Sequence, residues 1–103
     1  MGNWKERYEA KLCTPDEAIK KIAGVKRIIF EHACGESTLL TEALMKNKEL
    51  FKKAEIIHLV AMGKGEYAKE ENSEYFRHNA LFVGGTTREA ANSSYGDYTP
   101  YII

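Results

Sequence analysis

The chain has 103 residues, with 15 basic and 15 acidic side chains, a formal net charge of zero and 44% hydrophobic residues. That balance excludes partners gathered by bulk charge, such as nucleic acid or an anionic membrane surface. No apolar run approaches the ~20 residues that span a bilayer, and residues 1–11 are polar and aromatic, unlike a secretory signal. Cys13 and Cys34 form neither a CxxC pair nor a disulfide framework, so a cytoplasmic, reducing compartment is expected.

Thr14-Pro15-Asp16-Glu17 is the first clear start signal. Thr14 accepts from the backbone three residues on, Glu17 reaches back to Thr14, and Pro15 suits the first helical position. Ala18, Ile19 and Ile22 give the apolar stripe and Gly24 the stop. Residues 25–30, short, apolar and β-branched, read as a buried strand. A polar loop over 32–37 follows, then a helix over 38–47 carrying Leu39, Leu40, Ala43 and Leu44 on one face. The charged run over 46–53 reads as a solvated helix face.

Residues 55–61 form a second strand of the same buried type, running into the glycine loop 62–67. Residues 69–77 are charged and irregular, with room for one short helix. Residues 80–83 read as a third strand ending at Gly84-Gly85, and Thr86-Thr87-Arg88-Glu89 repeats the reciprocal cap, so a helix should start at Thr87. Residues 98–103 begin a fourth strand. Strand, loop and helix in alternation predict an α/β fold, a mostly parallel sheet flanked by helices. No linker divides the chain. Its apolar last residues, stopping within a strand, are expected to mark a truncation after Ile103, leaving an open edge that invites self-association.

In such a sheet, ligands collect outside the carboxyl ends of the strands. Loops 32–37, 62–67 and 84–87 all leave strand ends and all carry glycine, which lets backbone approach a ligand. Their convergence suggests an anionic ligand, a carboxylate or phosphate. His32 reads equally as a structural hydrogen-bonder or a ligand contact. His58, inside the second strand, and His78, placed at the start of the third and away from the presumed site, read as structural. The histidines lack zinc spacing. Cys34 near His32 lacks an established base, and Lys64 lacks a phosphate-loop frame. Arg88, in a first helical turn, is a mild candidate for an anion contact.

The ordered set of motifs resembles the N-terminal region of the acetyl-CoA hydrolase/4-hydroxybutyrate CoA-transferase family, the family I CoA transferases. The resemblance is carried by Trp4 with Tyr8, Thr14-Pro15-Asp16-Glu17-Ala18, His32-Ala33-Cys34-Gly35-Glu36 and His58-Leu59-Val60. It continues through Met62-Gly63-Lys64-Gly65-Glu66-Tyr67, Phe76-Arg77-His78-Asn79, Phe82-Val83-Gly84-Gly85 with Thr87-Arg88-Glu89, and Asp97-Tyr98-Thr99-Pro100. Ser37 stands where the family commonly has proline, and Thr86 where asparagine is frequent; both residues still suit a helix cap.

The resemblance implies a partial N-terminal domain of a longer, two-half, homo-oligomeric enzyme. Its substrates would be an acyl-CoA and a small carboxylic acid, with coenzyme A as substrate and no tightly bound cofactor or metal. CoA would move by way of a glutamyl-CoA thioester. The nucleophilic glutamate of the family has no counterpart here, so no residue of this chain is expected to be catalytic. His32, Gly35, Met62, Gly63 and Gly85 are the expected substrate-binding residues. Thioester hydrolysis, and a non-catalytic CoA-binding or scaffold module, are the alternatives.

Overall fold

A computed structural model describes residues 2–100. Of the fourth strand expected over 98–103, residues 101–103 lie outside the described residues. Helix α1 spans Trp4–Lys11 and buries none of its residues. The sequence reading assigned it no structure, because its apolar positions make no stripe for a core to select. Helix α2, Pro15–Lys21, opens on the expected reciprocal cap: the Glu17 amide donates to Thr14 Oγ1 at 3.2 Å, and the Thr14 amide to Glu17 at 3.4 Å. Gly24 then turns the chain at φ +79°, its amide donating to the Leu50 carbonyl.

Strand β1, Arg27–Phe30, leads to a single 3-10 turn at Ala33–Gly35 and to helix α3, Thr38–Lys46, capped by Ser37 Oγ accepting from the Leu40 amide. Strand β2 is Ala54–His58. The charged stretch before β3 holds two 3-10 turns, Glu66–Ala68 and Glu70–Asn72. Strand β3 is Phe76–Ala80, helix α4 Arg88–Ala91 and strand β4 Gly96–Tyr98. No helix among the described residues is long and apolar enough to cross a membrane.

The four strands pair in chain order, all parallel, with Ile28, Ile56, His78 and Gly96 forming one rung across the sheet. This is the expected α/β architecture. Burial alternates along β2 and β3, so the sheet has a covered and an open face. Ala54, Ile56 and Phe76 pack with Ile19, Leu44 and Ala90. On the open face Arg27 pairs with Glu55 at 2.6 Å, Asn79 bonds Glu55, and Arg77 grips Asp97 at 2.6 and 2.9 Å.

Several expectations are corrected. β1 and β2 are not strands buried on both faces, because every connection covers the same side of the sheet. The third strand is Phe76–Ala80, not 80–83: Phe76, His78 and Ala80 alternate with Arg77 and Asn79, a half-buried period of two that the charges mask in a search for apolar runs. His78 therefore lies mid-strand rather than at its start. Helix α4 starts at Arg88 rather than Thr87, and the expected reciprocal cap between Thr86 and Glu89 does not form among the described residues; the Thr87 hydroxyl accepts from the Gly84 amide at 3.2 Å, tightening the loop instead. Helix α3 also turns differently from its reading. Leu44 is 2% exposed, whereas Leu39 is 69% exposed.

Leu44→Ala should therefore cost about 2–4 kcal/mol of stability by emptying core volume, and Leu39→Ala less than about 0.5. Urea melts of the two variants beside the parent chain check the contrast.

Candidate functional site

Parallel pairing delivers the carboxyl end of every strand to one edge, so loops 32–37, 62–67 and 84–87 stand side by side there. They touch. The Ala33 amide donates to the Val60 carbonyl at 2.8 Å, joining the first loop to the backbone that follows β2. Gly65, in left-handed conformation at φ +62°, lies so close to Thr86 that a Cβ would come within 3.0 Å of it. Gly84 packs beside the Ala61 carbonyl.

The strongest link was not foreseen in the sequence. The Glu36 carboxylate accepts from the Gly63 amide at 2.7 Å and the Met62 amide at 3.3 Å. Two successive main-chain N–H groups thus hold a carboxylate at the sheet edge, the kind of anion cradle that successive backbone amides make. A Cβ on Gly63 would lie 2.8 Å from a Glu36 oxygen, so glycine is what allows the approach. Sequence alone marked Gly63 but not its partner, since a glutamate next to glycine has no spacing signal of its own.

Of the expected contact residues, Met62 and Gly63 are joined directly to the first loop by Glu36. His32 and Gly35 lie exposed in that loop, two and five positions beyond β1. Gly85 lies exposed in the third loop, with no atom within 4 Å of where a Cβ would stand. The cleft at the junction of the first two loops, lined by Glu36, Thr38, Thr41, Glu42, Gly63, Lys64 and Glu66, measures only about 40 Å³. Pockets that enclose a small ligand run to roughly 300 Å³ or more. The loops therefore form one wall of a site, not a closed pocket.

Beneath the loops lies a buried aromatic layer. Tyr67, fully buried, anchors the second loop against Phe30, His58 and His78, with ring centroids 5.0, 6.2 and 5.2 Å away. Its hydroxyl and His58 Nδ1 share a hydrogen bond of 2.7 Å. Among the described residues, His58 Nε2 and His78 Nδ1 are buried without a hydrogen-bond partner. Burial pushes the Tyr67 phenol up, helped by the nearby Glu36 charge, and lowers His58; His78 is pushed down to about 4 by burial and by His58. The layer is neutral at pH 7. Both histidines thus keep the structural role read for them.

Residues 2–103 match the family described as the acetyl-CoA hydrolase/transferase N-terminal domain. The chain belongs to this family. It is 55% identical over 97 residues to a 4-hydroxybutyrate coenzyme A transferase of Clostridium kluyveri, an overlap covering 94% of this chain and 23% of that protein. It is 26% identical over 101 residues to a succinyl-CoA:cyclohexane-1-carboxylate CoA transferase of Geobacter metallireducens, covering 95% of this chain and 22% of that protein. The chain thus spans under a quarter of the length of these transferases.

Two measurements check the site of this acetyl-CoA hydrolase/transferase domain. Glu36→Ala should free the Met62 and Gly63 amides and speed their hydrogen exchange by about tenfold or more, while amides of β2 keep their protection. The second concerns acid. The folded pKa of His78, about 4, lies below its ordinary value of 6.5, so its contribution to stability is complete above pH 6.5 and is lost as the pH falls towards 4. His58, also lowered, acts in the same direction. The stability of the parent chain should decline from pH 6.5 to 4.5 more steeply than that of His78→Phe, by up to about 1 kcal/mol per pH unit in urea melts.

Proposed function

We propose that this chain forms the carboxylate- and acyl-facing wall of a CoA-transferring site. The complete protein would move CoA between an acyl-CoA and a small carboxylic acid of the 4-hydroxybutyrate or acetate type. The observation that carries this reading is the carboxylate already seated on the Met62 and Gly63 amides, at the carboxyl edge of a parallel sheet. Once the Glu36 side chain swings aside, main-chain donors fixed in this way would suit a substrate carboxylate, or the oxyanion that forms when a thioester carbonyl is attacked. The cytoplasmic setting in which CoA thioesters are handled agrees with the two free cysteines.

The chemistry divides one hard exchange into two easier halves. A glutamate outside these residues attacks the thioester carbonyl, the C–S bond breaks, and CoA leaves as its thiolate. The thiolate then attacks the glutamyl carbonyl of the resulting anhydride, releasing the donor acid and leaving a glutamyl-CoA thioester. The acceptor carboxylate reverses the sequence and departs as the new acyl-CoA, restoring the glutamate. Glu36 is not that nucleophile in this reading, because both amides draw on its charge and tie it to the loop. His32, Gly35, Met62, Gly63 and Gly85 remain the proposed substrate contacts, with His32 directed to the substrate carboxylate or carbonyl. Transfer is favoured over hydrolysis because both named relatives are transferases.

The test uses the complete protein that carries this segment, incubated with acetyl-CoA with and without 4-hydroxybutyrate or other short acids. Acid-dependent appearance of a new acyl-CoA, with CoA trapped on protein as a borohydride-reducible thioester, is expected. Acid-independent release of free CoA would make it a hydrolase, and neither product would leave a binding module. His32→Ala should lower kcat/KM by about tenfold or more; unchanged kcat and KM would remove His32 from the site.

A further inference from the structure

The carboxylate on the Met62 and Gly63 amides belongs to the protein's own Glu36, yet nothing about the two donors is particular to that residue. Both are main-chain N–H groups, 3.3 and 2.7 Å from the same oxygen, Oε2. Successive amides of this kind recognise charge and shape, so any carboxylate that reaches them meets the same donors. None of the ion pairs among the described residues includes Glu36. Replacing it by a second monocarboxylate therefore conserves the charge and both hydrogen bonds, and breaks no salt bridge.

The loop that carries Glu36 is also held away from its relaxed state. Ala33, three residues earlier, has φ +53°, in the left-handed region that a Cβ disfavours. Two contacts to the segment after β2 keep it there: the Ala33 amide on the Val60 carbonyl, and the Glu36 carboxylate on the second loop. Backbone strain persists only where its surroundings impose it, and it gathers in segments that switch. Unseating Glu36 removes one of the two restraints. The cleft beside it limits what can take its place. At about 40 Å³, it and the volume Glu36 vacates take a carboxyl head, leaving the rest of the acid outside. Glu42 and Glu66 line this cleft with Lys64 as its one cation. A monoanion that enters as Glu36 leaves keeps the local charge balance, whereas a dicarboxylate or phosphate dianion adds a charge beside two carboxylates.

We infer that Glu36 is a resident competitor at a monocarboxylate seat: the carboxyl group of a small acid displaces it from the Met62 and Gly63 amides, and its departure releases loop 32–37. This rests on the proposed function for the role of that acid as a substrate, though not for the exchange itself. The affinity seen by an incoming ligand is reduced by the fraction of molecules in which its site is free. Removing the competitor must then tighten binding. A merely structural clasp predicts the reverse, since its loss would loosen both loops.

Acetate titrations of this chain, followed by amide NMR at constant ionic strength, test the exchange. Acetate should shift the Met62 and Gly63 resonances saturably and leave those of β2 in place, while succinate and phosphate should need higher concentrations for the same shift. Glu36→Ala should lower the dissociation constant for acetate by about tenfold or more, and Glu36→Gln, which keeps a neutral and weaker acceptor, by less. Gly63→Ala should abolish the shift, because its Cβ would crowd the position of the carboxylate oxygen. No saturable shift in the parent chain would overturn the inference, and so would acetate binding that survives Gly63→Ala. An affinity that both Glu36 variants leave unchanged or weaken would overturn it as well; Glu36→Gln keeps that comparison open should Glu36→Ala fold poorly. Exchange in this chain without CoA transfer by the complete protein would sink only the functional proposal. Transfer with the two amides unmoved by acetate would sink only this one.

Discussion

The structure depends on the register of four parallel strands. The rung Ile28–Ile56–His78–Gly96 sets which side chains face the helices, and in a period of two a slip by one residue exchanges the faces completely. A slipped strand would drive Arg27, Glu55 or Arg77 into the core and lift Ile56 or Phe76 into water. Desolvating one such charge without a partner costs several kcal/mol, so the register is decided by burial. Its consequence is spatial: with register and direction fixed, every loop that follows a strand lies on one edge.

The polar face reinforces that choice without supplying much stability. Arg27, Glu55 and Asn79 make a lateral chain across three strands, and Thr99 extends it by donating to Asn79. The Arg77–Asp97 pair is bidentate, yet the two side chains are 44% and 43% exposed, so screening by water leaves it worth little. These contacts match only in the native register. They penalise the alternatives more than they stabilise the fold.

Much of this was legible in the sequence, and the failures share a cause. The cap at Thr14, the turn at Gly24 and the two isoleucine-rich strands follow from local chemistry, and the structure holds them within a few residues. Strand β3 was displaced because Arg77 and Asn79 interrupt its apolar positions, a signal that depends on knowing that one face meets solvent. Thr86 and Glu89 carry the letters of a helix cap, but the helix starts one residue later and the Thr87 hydroxyl there is taken by the Gly84 amide, a competition between loop and helix that the string Thr-Thr-Arg-Glu does not show. The three glycine loops were recognised as candidates from their position after strands. Glu36 was not, because its partners are amides 26 and 27 residues away.

The glycines separate what the fold requires from what a ligand would require. At Gly65 and Gly96 a Cβ would press on Thr86 and on the Ala90 carbonyl, so the architecture alone excludes a side chain there. At Gly63 the obstacle is Glu36, a side chain that could swing away, which makes that glycine a condition of the carboxylate cradle and not of the sheet. At Gly85 the space is open, and at Gly35 a Cβ would make only ordinary contact with the Glu31 side chain, 3.6 Å away. Neither position has a left-handed φ or a blocking neighbour, so the fold itself would accept a side chain there. Both lie on the edge where the strands end, one in the loop that leaves β1. The two glycines that the fold does not require therefore stand on the same edge as the Glu36 carboxylate and its two amide donors.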